Sequence, residues 1–330
     1  MNCAMVHPNA ALVRNLRETM RLRVLILTGL ASFCLRAQQP ATIHVNVHLI
    51  NVAFTVRDES GAFVTELTKD DFEVLDDGAP QPIAFFARSS DLPLSLGLVL
   101  DMSDSQEHFI KRHKHDLETF LNTVLTPRDS AFLLCFGNHL RLASDFSPSP
   151  KELMDGLQQY DHARGEQPEI GPSEIRTEGT AFYDALYYSS SEKLVSKEGR
   201  RAIVVFSDGE DNSSAHHMLD VIEAAQGENV VIFGMRYTEV HRGRLTGRNK
   251  YGMSVMERLG RETGGADFDA EKDDLKKSFQ QIGEQLRSTY ELGYYAAPSL
   301  RDGTFHKLVV RSKRPAVTVR AKTGYLARTD

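Results

Sequence analysis

Three separated stretches of this chain carry oxygen side chains that could meet round one hard cation. In the first, the apolar run Leu94-Ser95-Leu96-Gly97-Leu98-Val99-Leu100 ends in Asp101, and Ser103 and Ser105 follow two and four positions later. The second is Glu178-Gly179-Thr180, at the start of a helical pattern, where a hydroxyl can point back over a sheet edge. The third follows Val204-Val205-Phe206-Ser207 and reads Asp208-Gly209-Glu210-Asp211-Asn212. Asp101 and Asp208 would supply charge, and Ser103, Ser105 and Thr180 neutral oxygens. With no cysteine and no obligatory histidine in the set, the chemistry suits Mg2+ or Mn2+. Two carboxylates do not fully satisfy such an ion if one of them binds only through water.

Such a site needs a sheet to gather it, because ligands of open α/β folds bind beyond the carboxyl ends of strands. Residues 92–290 have the pattern. Strands are expected up to Asp101, over Ser130 to Gly137 and His139 to Ala143, over Arg201 to Phe206 and over Val230 to Gly234. Helices are expected over about 105–124, Pro150 to Tyr160, Thr180 to Leu194, Met218 to Gln226, and about 252–263 and 271–289. Residues 161–178, with Pro168 and Pro172, read as a surface loop. This alternation predicts an α/β class, with a doubly wound, mostly parallel sheet.

The flanks are β-rich. Val45-Asn46-Val47-His48-Leu49-Ile50 and Val52-Ala53-Phe54-Thr55-Val56 read as strands. Phe72-Glu73-Val74-Leu75 and Ile83-Ala84-Phe85-Phe86 flank the turn Asp76-Asp77-Gly78 as an expected hairpin. Phe305 to Arg311 and Ala316 to Arg320 alternate with period two. Neither flank alone has enough strands for a core, so the two are expected to pair into a small sandwich-like module that carries the α/β domain as an insertion.

The residue set resembles the von Willebrand factor type A domain and its metal-ion-dependent adhesion site. That family's pattern, Asp-x-Ser-x-Ser, then a distant Thr, then a distant Asp, falls on Asp101, Ser103, Ser105, Thr180 and Asp208. The resemblance covers about 92–290 and extends to the order of strands and helices. It implies a Rossmann-like fold and a non-enzymatic site, in which a bound Mg2+ or Mn2+ keeps a position for an acidic side chain of a protein partner. Asp208 would bind through water, and the other four directly or nearly so. Val56-Arg57-Asp58, Leu67 to Val74 and Asp77 to Gln81 are similar to the segment before this domain in a group of exported acidobacterial proteins, and Tyr290 to Tyr295 and Thr323-Gly324-Tyr325 to that group's C-terminal segment. Two positions depart from the family. Asp104 stands where a small residue is usual; it could crowd the turn, join the ion's outer shell or face water. Gln106 stands where an apolar residue is usual.

Arg14, Arg17, Arg21 and Arg23 precede an apolar run from Val24 to Leu35, which Arg36-Ala37-Gln38-Gln39-Pro40 ends. This order reads as a secretory signal cleaved near Ala37, with Met1 or Met20 as the start; the competing reading is an uncleaved anchor. The run is short for a membrane span. Cleavage removes five of 39 basic residues and one of 45 acidic ones, leaving a net charge of -10. That balance argues against nucleic acid or an anionic membrane as the main partner. Of Cys3, Cys34 and Cys135 only the last survives, so no internal disulfide forms, and Cys135 reads as a buried thiol in a strand. The expected organisation is a signal over 1–37, a β-rich flank over 41–90, the A-type domain over 92–290 and a second β-rich flank over 291–330. The expected location is the periplasm, the cell envelope or the medium.

Other residues read as structural. His108, His113, His115 and His216-His217 are expected on solvated surfaces, Ser189-Ser190-Ser191 on a helix face, and Tyr187-Tyr188 and Tyr294-Tyr295 in half-buried packing. No Gly-x-Ser-x-Gly and no Gly-x-x-x-x-Gly-Lys occurs. Two rivals to the binding module stand. One is a scaffold whose β flanks make the contacts. The other is a metal-dependent hydrolase, for which Asp104 and Glu210 are the local candidates for a base.

Overall fold

The computed structural model describes residues 49–88, 92–137, 139–163, 169–170, 179–239, 244–297 and 302–327. The expected signal segment lies outside them, as do Glu178 and most of the loop over 161–178. In chain order the strands are β1 (Leu49–Asp58), β2 (Phe72–Asp76), β3 (Ala79–Gln81), β4 (Phe85–Arg88), β5 (Leu94–Asp101), β6 (Ser130–Phe136), β7 (Leu140–Ser147), β8 (Arg200–Ser207), β9 (Val230–Arg236), β10 (Asp267–Asp269), β11 (Thr289–Tyr295), β12 (Phe305–Ser312), β13 (Val317–Ala321) and β14 (Gly324–Leu326). The α-helices are α1 (Ile110–Val124), α2 (Pro150–Ala163), α3 (Phe182–Tyr188), α4 (Met218–Gly227), α5 (Gly247–Thr263) and α6 (Leu275–Arg287). None is long and apolar enough to cross a membrane.

The central sheet has six strands in the order β10-β9-β8-β5-β6-β7. Its contacts are parallel except for β7, which runs antiparallel to β6 at one edge. β5 lies in the middle, and all eight of its residues are buried, as a strand covered on both faces requires. Leu94, Leu96, Leu98 and Leu100 pack with Leu117, Phe120, Leu121 and Val124 of α1 and with Phe279, Ile282 and Leu286 of α6. Their spacing along the two helices is that of an amphipathic stripe. Phe120 meets Phe279 edge to face at 5.4 Å. On the other face Val99, Phe132, Leu134, Ile203 and Val205 pack with α3, α4 and α5. Each buried Leu, Ile or Phe contributes roughly 1.5–3 kcal/mol. The α/β architecture with a mostly parallel sheet is therefore the one the alternation predicts.

Two four-stranded sheets, β13-β1-β11-β4 and β14-β12-β2-β3, complete the structure. Each mixes strands from the two ends of the chain: β1 runs antiparallel to β11 and β13, and β2 antiparallel to β12. Val52, Phe54, Phe72, Val74, Tyr290, Leu292 and Leu308 form their shared core. The Tyr290 hydroxyl accepts from Leu67 N at 2.9 Å and donates to Val64 O at 3.0 Å.

At the strand-start end of the central sheet, Asp129 joins three segments. It accepts from Leu94 N at 2.8 Å, from the backbone N and Oγ1 of Thr126 at 2.8 and 2.6 Å, and from Arg287 at 2.7 Å.

Several local expectations need correction. The hairpin closed by Asp77-Gly78 joins β2 to β3, with Asp76 opposite Ala79. Residues 85–88 instead pair with β11 in the other sheet. Asp77 and Gly78 both have positive φ, which a two-residue turn matching strand twist demands, and this fixes the partner strand immediately after the turn. The helix expected from 105 opens as a 3-10 turn over Asp104–Phe109. The one expected over 180–194 is α3 followed by a π turn over Ser189–Lys193. α5 starts at Gly247, because Thr246 and Asn249 cap it reciprocally. β10 and β14 have three residues each, too few for a period-two pattern to register.

Candidate metal centre

β5 and β8 are parallel neighbours with Leu100 opposite Phe206, so Asp101 and Ser207 end side by side. Asp101 is fully buried. Its Oδ1 accepts from the backbone N of Ser103 at 3.0 Å and from Ser103 Oγ at 2.6 Å. Its Oδ2 accepts from Ser207 Oγ at 2.5 Å, and Ser207 Oγ accepts in turn from Gly209 N at 3.1 Å. The Oγ atoms of Ser103 and Ser105 are 3.2 Å apart. The alternate spacing of the two serines after a strand-end aspartate places both hydroxyls on one side of the turn.

Asp208 follows the last residue of β8 and is also buried. Its Oδ1 accepts from Glu210 N at 2.9 Å; its Oδ2 accepts from Gln106 Nε2 at 2.8 Å and faces Ser105 Oγ at 3.4 Å. The first and third loops are thus bonded to each other.

Thr180 joins them through backbone contacts. Gly179 has φ +128°, and a Cβ there would lie 2.7 Å from Asn212 Oδ1, so only glycine lets the chain pass. Thr180 N donates to Asn212 Oδ1 at 2.6 Å, and Asn212 N donates back to Thr180 O at 3.1 Å. Ala181 N donates to Gly137 O at 2.8 Å, anchoring the start of α3 beside the end of β6. Ser103, Ser105 and Thr180 line one open cleft of about 620 Å³, with Glu210, Arg248 and Tyr251 on its rim. Of the five residues named from sequence, Ser103, Ser105 and Thr180 thus line one cleft, and Asp101 and Asp208 are buried and hydrogen-bonded to Ser103 and Ser105 respectively.

The electrostatics favour a cation. Burial, together with the charge of Asp208, pushes Asp101 up to about 7 against the hydrogen bonds from Ser103 and Ser207. Burial also raises Asp208, opposed by donors from Glu210 and Gln106. Glu210 is raised by burial and then by Asp208, while Arg248, 3.2 Å away, pulls it back. The rim guanidinium thus pairs with Glu210. Two buried carboxylates bordered by hydroxyls, both raised chiefly by burial, fit a hard divalent ion.

Sequence reasoning missed three members of this network. Ser207 counted only as the end of the run before the loop, although a hydroxyl next to Asp208 is a visible signal. Gln106 was noted only as a departure from an apolar residue, yet it binds Asp208. Asn212 holds Thr180 from 32 positions away, which no local pattern announces. Asp104 is exposed on the cleft wall.

His113 is a correction. It is buried, not solvated, and its ring meets Tyr237 edge-on at 4.2 Å. It lies one helical turn before Leu117, on the stripe of α1 that faces the sheet, and burial pulls its imidazole down to about 4. His216 is half-buried, stacked on Tyr187 at 3.7 Å with Nδ1 2.7 Å from Asp184 Oδ1. His108, His115 and His217 are exposed, and Cys135 is buried in β6. Ser189 and Ser190 are buried within the π turn, away from any exposed helix face.

No protein-family model and no curated protein matches the chain. Solved structures similar to it include an aerotolerance-related membrane protein from Bacteroides fragilis, 15% identical, with a TM-score of 0.41 over 58% of this chain and 98% of that one. BatB from Bacteroides thetaiotaomicron is 18% identical, with a TM-score of 0.42 over 58% of this chain and 98% of that one. Proximal thread matrix protein 1 from the mussel byssus, with a zinc-occupied MIDAS motif, is 14% identical, with a TM-score of 0.44 over 64% of this chain and 50% of that one.

Proposed function

We propose that this chain is an exported, non-enzymatic binding module of the von Willebrand factor A type, which takes Mg2+ or Mn2+ at Asp101, Ser103, Ser105, Thr180 and Asp208. The observation that carries this reading is the convergence of three loops on one cleft, with two buried carboxylates tied to its hydroxyls. The ion, when bound, supplies a Lewis-acidic position open to the cleft. The residues do the rest. Ser207 and the Ser103 backbone fix the Asp101 carboxylate, Gln106 and the Glu210 backbone fix Asp208, and Asn212 sets the height of Thr180. A carboxylate side chain on a protein partner is the ligand that such a position favours. The breadth of the cleft suits a protruding loop, and capture would be reversed by chelation. The net negative charge left after signal cleavage makes the ion the attractive feature for an acidic partner.

The test is calorimetry of Mg2+ binding to the wild type and to Asp101→Ala. Heat in the first and none in the second supports the site; equal heats would remove it. A pull-down from the cell-envelope fraction, first with Mg2+ and then with chelator, tests partner capture. A partner that stays bound in chelator would assign the contact to other surfaces.

A further inference from the structure

A second group of metal-ligating side chains lies away from the cleft, in the module built by the flanks. Asp76 ends β2, Asp77 opens the turn after it, and His306 lies on β12, which pairs with β2. One oxygen of each aspartate and one ring nitrogen of His306 all lie within 4.8 Å of one another. Asp76 and His306 are 1% and 2% exposed, so this is not a surface acidic patch.

The hydrogen bonds of the group are complete except where they face each other. Asp76 Oδ2 accepts from Tyr294 OH at 2.7 Å and from Tyr325 OH at 2.8 Å, but its Oδ1 is buried with no hydrogen-bond partner. Asp77 Oδ1 accepts from Lys307 N at 2.8 Å, leaving Oδ2 toward the histidine. His306 Nδ1 lies 2.8 Å from Asp77 Oδ2 and 3.6 Å from Asp76 Oδ1, and makes no well-directed hydrogen bond to either. Asp76 Oδ1, a buried carboxylate oxygen, is thus left without a hydrogen bond beside the His306 ring, at a real cost if nothing joins them.

The other ring nitrogen explains the arrangement. His306 Nε2 lies 3.1 Å from Asp302 Oδ1. A carboxylate there holds a proton on Nε2 and turns the Nδ1 lone pair toward Asp76 and Asp77, which is how metal-ligating histidines are oriented. Separations of 2.8 and 3.6 Å between donors bracket the edge of about 3.3 Å expected when three ligands sit about 2 Å from a four-coordinate ion. Charge agrees. Asp76, Asp77 and Asp302 carry three formal negative charges, which one imidazolium balances less well than one dication. Tyr325 stacks on the His306 ring at 5.5 Å and closes one side, while Asp77 and Asp302 are about half exposed and leave an entry path.

We propose that Asp76 Oδ1, Asp77 Oδ2 and His306 Nδ1 form a second divalent metal site, selective for a nitrogen-accepting ion of the Zn2+ kind, with Asp302 as its orienting residue. One nitrogen and two oxygens favour zinc over the all-oxygen chemistry of the strand-end cleft. The ion would join the turn after β2 to β12, and so clip together the two ends of the chain. This site shares no residue with the cleft, so either can fail without the other.

The experiment uses the full chain carrying Asp101→Ala, which disables the cleft, stripped with chelator and titrated with Zn2+. One equivalent is expected to bind. His306→Gln in this background is expected to abolish it, and Asp302→Asn, a change at an exposed residue, to weaken it about 10–100-fold. Should His306→Gln fail to fold, 15N spectra of the histidine-labelled chain decide: Zn2+ is expected to shift His306 Nδ1 and leave a proton on Nε2. A His306 ring that stays doubly protonated in excess Zn2+, or binding that survives both substitutions undiminished, would overturn the proposal and leave the group a histidine–carboxylate ion pair.

Discussion

Gln106 donates from Nε2 to Asp208 Oδ2 across 2.8 Å, so the turn after β5 holds the carboxylate that follows β8. The amide also lies 3.4 Å from Tyr237 O, and its Oε1 has no partner. The residue that departs from the A-type pattern thus positions the Asp208 carboxylate. Replacing it by an apolar side chain of similar size keeps the packing and removes the tether. Gln106→Leu is expected to keep the fold and lower Mg2+ affinity about 10-fold or more, the range for groups that orient a ligand. Calorimetry checks the affinity, and thermal unfolding in chelator checks the fold. Unchanged affinity would mean that Asp208 is fixed by the Glu210 backbone alone.

Gly179→Ala should damage the site through the backbone. Its φ of +128° is strained for any other residue, and the added Cβ would press on Asn212 and Ser213. A loss of about 1–3 kcal/mol in stability is expected. Because Thr180 is bonded to Asn212, Mg2+ binding is expected to weaken as well. Urea unfolding and Mg2+ titration of the same preparation would test both.

Asp129→Ala separates stability from the site. Asp129 is buried at the opposite end of the sheet and accepts from Leu94, Thr126 and Arg287. Removing it leaves two backbone donors without their acceptor and Arg287 with the Val124 carbonyl but no carboxylate. The expected cost is about 3–5 kcal/mol, with Mg2+ affinity at saturating folded protein unchanged. A matching loss of affinity would show that the two ends of the sheet are coupled.

Lys322 gives the protein a pH dependence of defined sign. It is buried, and its Nζ donates to Gln226 O at 2.8 Å and to Asn229 Oδ1 at 2.7 Å. Burial, aided by Arg201, lowers its ammonium to about 7, against the pull of Glu228. Between about 7 and its ordinary value of 10.5 the unfolded chain therefore binds more protons than the folded one. This residue makes stability rise with pH across that window, by at most about 1.4 kcal/mol per pH unit. Lys322→Met is expected to flatten that slope in thermal melts between pH 7 and 10. A slope identical to wild type would mean that Lys322 stays charged in the folded state.

Much of this was legible in sequence, and for a physical reason. A strand buried on both faces must be a continuous apolar run, so β5, β8 and β9 announced themselves, and the loops after β5 and β8 with them. The positions of Asp101, Ser103, Ser105 and Asp208 follow from strand ends alone. Thr180 was marked only by Gly-Thr at a helix start, and nothing local ties it to Asn212. What stayed hidden was set by partners distant in the chain. His113 looked solvated because a histidine between Arg112 and Lys114 reads as polar, whereas the helix turns it onto Tyr237. Residues 83–86 looked like the second arm of a hairpin, but the tight turn at Asp77-Gly78 had already chosen the three residues after it. His306 sat in an ordinary alternating strand, and only the pairing of β12 with β2 brings it to Asp76.

Each flank sheet takes strands from both ends of the chain, with β1 between β11 and β13 and β2 between β12 and β3. The earliest strands to be made therefore wait for the last ones before their edges are covered. Such distant pairings close slowly. A polypeptide emerging from its first residues onward would complete the α/β layer while β1 still lacks β11 and β13 and β2 has only β3 beside it. Truncation just before β11 would leave those edges uncovered permanently, making the strands from β11 onward a condition for staying unaggregated.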